Sequence, residues 1–181
     1  MTRFVALFRG VNVGKAKRIA MADLRELLES LCYHNVRTLL NSGNAVFDGP
    51  DWPAARHAQR IRSGVANSLG VDALAVVKSA KDMAAIVAGN GLGARAADAS
   101  RLLVAVTNDP KCLAALELLA KTEWASEEVH VGKHATYVWC PNGSLESKVA
   151  VALLKGLADS CTTRNWATLG KIHALMGKDE R

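Results

Sequence analysis

The order in which hydrophobic periodicities follow one another constrains this chain more than any single motif. Short apolar runs that read as strands alternate with stretches whose apolar residues recur at helical spacing, and one succession is met twice. The first apolar run, Arg3 to Arg9, reads as a buried strand, and Gly10 to Ala20 as a loop with two glycines. Met21, Leu24, Leu27, Leu28 and Leu31 then mark a helix, and Val36 to Leu40 a second strand. The turn Asn41-Ser42-Gly43-Asn44 leads tightly into a third strand, Ala45 to Phe47, which predicts a hairpin. Trp52 and Pro53 open a helix with Ala54, Ala58, Ile61, Val65 and Leu69 on its apolar face and Arg56, Arg60 and Ser63 opposite. Asp72 to Val77 closes the set as a fourth strand.

A short helix around Ala80 to Val87 and a Gly/Ala-rich stretch from Gly89 to Ala99 follow as a connector. The succession then returns. Leu102 to Val106 is a strand, and Asp109 with Pro110 caps a helix carrying Cys112, Leu116 and Leu119. Val129 to Val131 and Thr136 to Cys140 are strands, and Val149, Leu153, Leu154 and Leu157 mark a helix. Cys161 to Thr163 is a short edge strand, and Leu169, Ile172, Leu175 and Met176 mark a last helix from Asn165. The expected fold class is α+β, as two tandem ferredoxin-like (β-α-β-β-α-β, alpha-beta plait) halves. The expected division is 1–78, a connector at 79–100, and 101–181 with an extra C-terminal helix. A cleft between such halves is the default place for a ligand.

Composition excludes several classes. Half of the residues are hydrophobic, ample for a core and too many for a disordered chain. No apolar run approaches the ~20 residues of a membrane-spanning helix. The first residues lack a signal-peptide pattern, so a cytoplasmic location is expected. Cys32, Cys112, Cys140 and Cys161 lie far apart with no Cys-x-x-Cys pair, which predicts reduced, buried thiols and no disulfide. His34, His57, His130, His134 and His173 show no ligand spacing, so no metal is expected, and no motif implies a cofactor. No nucleophile elbow or carboxylate pair stands out, and whether the chain is an enzyme stays open, as does its oligomeric state.

The formal charge of +6 is unevenly placed. Residues 1–78 hold 11 Lys+Arg against 6 Asp+Glu, and five basic residues with no acid lie between Arg3 and Arg18. Such an excess concentrates anionic partners. Gly10 and Gly14 lie where a phosphate cradle would form between strand and helix. The P-loop spacing is one residue short, and Ala16 replaces its Ser or Thr. Glycines at awkward backbone angles explain Gly10 and Gly14, but not the company of Arg9, Asn12 and Lys15. Stacking of RNA bases on the first sheet is disfavoured, because Phe47 is the one aromatic near the hairpin. Thr162 to Trp166 places two hydroxyls, a guanidinium and an amide at an expected helix start, where free N–H groups favour an anion.

Four segments carry a family resemblance: Leu7 to Gly14, Met21 to Leu24, Ser42 to Phe47, and Thr162 to Trp166. With Asn142-Gly143 and Ser147-Lys148, their order and spacing resemble the domain of unknown function 1697 family of bacterial proteins. The resemblance covers both halves and implies an α+β plait, but no activity. The loop departs from the pattern, reading Lys15-Ala16-Lys17 where a second glycine after Gly14 is usual.

The residues expected to hold a ligand are Arg9, Asn12, Lys15, Ser42, Asn44, Lys148, Thr163, Arg164 and Asn165. Arg9 and Arg164 are expected to converge on one cleft. The expected function is binding of a small phosphate- or carboxylate-bearing anion. Two alternatives stay open: a nucleic-acid-associated protein using the basic first half, with weak and non-specific binding through Arg56, Arg60 and the loop, and an enzyme acting on an anionic substrate at the same cleft. No membrane partner is expected.

Overall fold

The opening apolar run forms β1 (Thr2–Phe8), and Phe4 to Phe8 are all buried. A strand without a solvent-facing side reads as continuous apolar sequence rather than as an alternation. A computed structural model describes residues 1–177 of the chain. It is a mixed α+β protein with two four-stranded antiparallel sheets, and the chain separates into two compact units. One comprises Met1–Met83 with the stretch from Ile172 onward, the other Ala84–Lys171.

In the first unit β1 is followed by α1 (Met21–Ser30), β2 (His34–Thr38), β3 (Asn44–Gly49), α2 (Ala54–Leu69) and β4 (Ala75–Ser79). The sheet order is β2-β3-β1-β4, with Phe4 opposite Phe47 on β3 and opposite Ser79 on β4. Alternation along the strands sends Phe4, Ala6, Phe8, Phe47 and Val77 into one core with Leu24 and Leu28 of α1 and Ile61 and Val65 of α2. Each large apolar side chain so buried contributes about 1.5–3 kcal/mol. Gly43 ends the β2–β3 connection at φ +76°, and a Cβ there would lie 2.9 Å from Phe8 Cβ. Glycine is therefore required by backbone angle and by space.

After α3 (Ala80–Ala88), the second unit contains β5 (Leu102–Thr107), α4 (Glu117–Lys121), β6 (Glu128–Val131), β7 (Thr136–Trp139), α5 (Lys148–Leu157), β8 (Cys161–Asn165) and the start of α6 (Trp166–Met176), whose residues from Ile172 onward group with the first unit. Its sheet order is β6-β7-β5-β8. Leu103, Ala105, Val138 and Cys161 pack with Leu113, Leu116, Val149 and Leu153. Asp109 caps with Pro110 behind it, as the sequence suggests, but the turns to Leu116 are 3-10 and only Glu117–Lys121 is α-helical.

Two readings are corrected. Thr162, Thr163 and Arg164 lie in β8, and the helix starts only at Trp166. The thiols are not all buried: Cys140 and Cys161 are, Cys112 is half-buried, and Cys32 is exposed at φ +61° beyond the end of α1. The stretch after α3 forms a 3-10 turn, Gly93–Asp98. There the Tyr137 hydroxyl donates to the Ile86 carbonyl, and Arg95 Nε reaches Glu128 at 3.0 Å. Of the span expected for the second half, residues 178–181 lie outside the described residues.

Candidate functional site

The loop from β1 to α1 is held by its asparagine. Asn12 has φ 58°, and its backbone N–H donates to the Lys17 carbonyl at 3.1 Å. Its side-chain Nδ2 donates to the carbonyls of Ile19 at 2.7 Å and Asn41 at 2.8 Å, while Oδ1 accepts from Ile19 N–H at 2.9 Å. The amide ties the loop to the β2–β3 turn and is spent on that task. Asn44 acts likewise: fully buried, it donates from Nδ2 to the Leu39 carbonyl at 2.7 Å and to Ser42 Oγ at 3.0 Å. Asn12, Ser42 and Asn44 therefore shape the loop, whatever else they do. Burying an amide is tolerable only when it is hydrogen-bonded in this way.

The loop's cations are placed differently. Arg9 is half-buried, with its backbone N–H on the Leu74 carbonyl at 2.9 Å. Lys15, Lys17 and Arg18 are exposed. Gly10 and Gly14 stand at φ +65° and +63° with open space where a side chain would begin. A cavity of about 360 Å³ is lined by Asn12, Arg18, Ile19, Ala20, Met21 and Asn41. It lies at the start of α1, where Ala20 is the N-cap and offers no side-chain acceptor. The only acid in the first turn is Asp23. An uncapped helix start carries partial positive charge on its free N–H groups.

The second-unit residues have other surroundings. Arg164 faces Val104 across the β5–β8 ladder, on the side of the sheet away from the Ala105 and Cys161 core. It is 8% exposed and donates from Nη1 to Thr162 Oγ1 at 2.9 Å and to the Thr163 carbonyl at 2.7 Å. Burial lowers its pKa to about 10, so it remains a cation at neutral pH. The reading of Arg164 as a surface cation on a helix start is thus corrected. Asn165 is the residue that caps α6, accepting from Thr168 N–H at 2.9 Å. Thr163 is half-buried in β8 beside it. Lys148 is exposed at the first position of α5, whose start is already satisfied. Ser147 Oγ accepts from Ala150 N–H at 2.9 Å, and Glu127 Oε2 accepts from Val149 N–H at 3.0 Å.

Sequence reasoning missed two clusters. Phe47 points into the helix-side core, where it meets Tyr33 and His57. His57 is buried, with Nε2 3.1 Å from the Pro50 carbonyl and Nδ1 2.9 Å from the Tyr33 hydroxyl. A carbonyl only accepts, so Nε2 carries the proton and Nδ1 accepts from Tyr33. Burial, and then Arg56 and Arg60, hold the His57 pKa below its ordinary value. Trp52 stacks on the same ring at 5.4 Å. The second cluster is Tyr137 and Trp139 on the far face of β7. Tyr137 is buried, which pushes its pKa up to about 12, and Arg95 lies 5.3 Å above Trp139. Spacing two apart on a strand was the available signal for that pair. Among the described residues no three His, Cys, Asp or Glu side chains gather as metal ligands, and no helix is long and apolar enough to cross a membrane.

The model of the family described as Protein of unknown function (DUF1697) matches residues 1–137. No curated protein matches significantly. Among solved structures, the conserved bacterial protein SP0830 from Streptococcus pneumoniae is similar with a TM-score of 0.80 and 23% identity. The match covers 97% of this chain and 98% of that one, a likeness of fold alone.

Proposed function

The chain belongs to the DUF1697 family, and from that premise we propose that it binds a small phosphate- or carboxylate-bearing anion at the start of α1. The observation that carries this reading is the cavity of about 360 Å³ lined by Arg18 and by the uncapped helix start. Free N–H groups and the Arg18 guanidinium supply what an anion needs, and Lys15 and Lys17 add positive charge to the same loop. Asn12 contributes by holding the loop around the cavity, and Ser42 and Asn44 by holding the turn beside it. The proposal includes the finer architecture: two tandem ferredoxin-like units at 1–78 and 101–181, joined by 79–100, in a cytoplasmic protein. The element order and the placing of β1 and β3 in the middle of one sheet, β5 and β7 in the other, support it.

The test is a melting experiment with inorganic phosphate and phosphorylated metabolites. Wild type is expected to melt at higher temperature as ligand rises, by the linkage of binding to folding. Arg18→Ala is expected to lose that rise while its ligand-free melting point stays put, since exposed cations contribute little to stability. Amide NMR shifts at Met21, Ala22 and Asp23 on titration localise the effect. Full retention of the rise in Arg18→Ala, or no rise in wild type, overturns the proposal.

A further inference from the structure

The helix α2 is sixteen residues long and contains no Asp or Glu. Its apolar face, with Ala58, Ile61 and Val65, is buried in the first core. Its outer face carries Arg56, Arg60, Ser63 and Asn67 at helical spacing, all exposed. Eleven residue steps along the helix span about 16 Å, so the donors form a stripe, with its two positive charges one turn apart at one end. Surface helices usually intersperse both signs, because like charges one turn apart repel. Here nothing on the helix offsets them.

The two arginines are held in place. The Arg56 guanidinium lies 4.0 Å from the centre of the Trp52 ring, and that of Arg60 lies 5.8 Å from it. Trp52 is itself seated on the buried His57 ring. Arg60 also donates from Nη2 to the Leu31 carbonyl at the end of α1, at 3.2 Å. Among the described residues neither guanidinium has a carboxylate within ion-pair distance; the adjacent Asp51 accepts instead from Thr2 Oγ1 at 3.1 Å. Arg62, on the same helix, is paired with Asp72 at 2.7 Å. A guanidinium held over an indole loses rotational freedom but keeps N–H donors for acceptors.

We infer that the Arg56–Arg60 stripe of α2, seated on Trp52, is a binding surface for the phosphodiester backbone of nucleic acid. The occupant is a chain of phosphates because the two cations lie one turn apart and the neutral donors Ser63 and Asn67 continue beyond them along the helix, farther than one small anion reaches. Binding is to the backbone and not to bases. Arg56 and His57 both pack against the Trp52 ring, at 4.0 Å and 5.4 Å, so the indole is engaged within the protein rather than offered to a base. This surface is separate from the α1 cavity and does not depend on it.

The experiment is fluorescence anisotropy of the full chain with labelled single-stranded oligonucleotides of several sequences across a salt series. Wild type is expected to bind all sequences alike, with affinity falling steeply as salt rises. Arg56→Gln/Arg60→Gln is expected to weaken low-salt binding roughly tenfold or more and to reduce the salt slope by about 1.4. Trp52→Ala is expected to cost roughly two- to fivefold by releasing the guanidiniums. Arg62→Gln is expected to bind as wild type does. Equal binding by the double variant, an equal loss in Arg62→Gln, or wild type that binds only anionic vesicles or no oligonucleotide each overturns the inference. Circular dichroism and melting of the double variant, whose changes are both on exposed side chains, exclude unfolding as the cause of a loss.

Discussion

The starts of α1 and α5 are built from opposite materials. Ahead of α1 the chain places Ala20, which has no acceptor, and surrounds the opening with basic residues. Ahead of α5 it places Ser147 and brings in Glu127, so that two of the first N–H groups are satisfied by the protein itself. Buried basic groups differ in the same way between the units. Arg164 keeps its charge and offsets it with neighbouring oxygens, while His57 is held neutral between a carbonyl and a hydroxyl. The lesson is that a cation near a helix start is not a site. A site needs a start the protein has left open, and only α1 of this pair has one.

The largest expected effect tests the buried arginine. Arg164→Ala removes charge-assisted hydrogen bonds to Thr162 and Thr163 and is expected to cost about 2–3 kcal/mol in urea unfolding. Stability within error of wild type would return Arg164 to the ranks of candidate ligand groups. Exchanging the helix starts gives the next effect. Ser147→Ala is expected to cost about 1 kcal/mol through loss of the cap. Ala20→Asp is expected to stabilise by a similar amount, about 1 kcal/mol, and to abolish the phosphate-induced rise in melting temperature because a fixed carboxylate takes the anion's place. A rise that survives Ala20→Asp would show that the anion sits elsewhere.

The smallest effect is on pH dependence. The folded-state pKa of His57 lies below its unfolded value near ~6.5. Its contribution is therefore fully present above about pH 6.5 and is lost as pH falls through the window beneath it, where the unfolded chain binds the extra proton. Protonating Nδ1 would also end its acceptance from Tyr33 and place a cation beside Arg56 and Arg60. Unfolding free energies of His57→Phe between pH 7 and 5 are expected to show a shallower acid slope than wild type. Parallel slopes would mean that the histidine opens to solvent.

Much of the fold could be read from periodicity. The face Ala54, Ala58, Ile61, Val65 and Leu69 gives α2, because a long amphipathic helix repeats its signal over four turns. The strand β8 was half-read. Thr162 and Thr163 are β-branched and suit a strand, yet hydroxyls before a Trp also look like a cap, and the cap proved to be Asn165 alone. The 3-10 turns after Pro110 were read as α-helix because the spacing Cys112, Leu116 and Leu119 serves either form over so short a stretch. Of the candidate site, the basic loop was legible as charge without acid. Arg18 was not singled out, since nothing in its neighbours marks it over Lys15 or Lys17; the cavity does.

By itself the sequence determined the succession of elements, the mixed α+β character and the concentration of positive charge in residues 1–78, since each follows from local spacing and composition. Only the tertiary structure decided what each polar group does. Asn12 became a staple when Ile19 and Asn41 came within reach, Arg164 a buried cation when β8 paired with β5, and His57 a neutral ring when Tyr33 and Pro50 closed on it. A hydrogen bond depends on partners brought together from distant positions to within about 3 Å, and that proximity is a property of packing that no local pattern encodes.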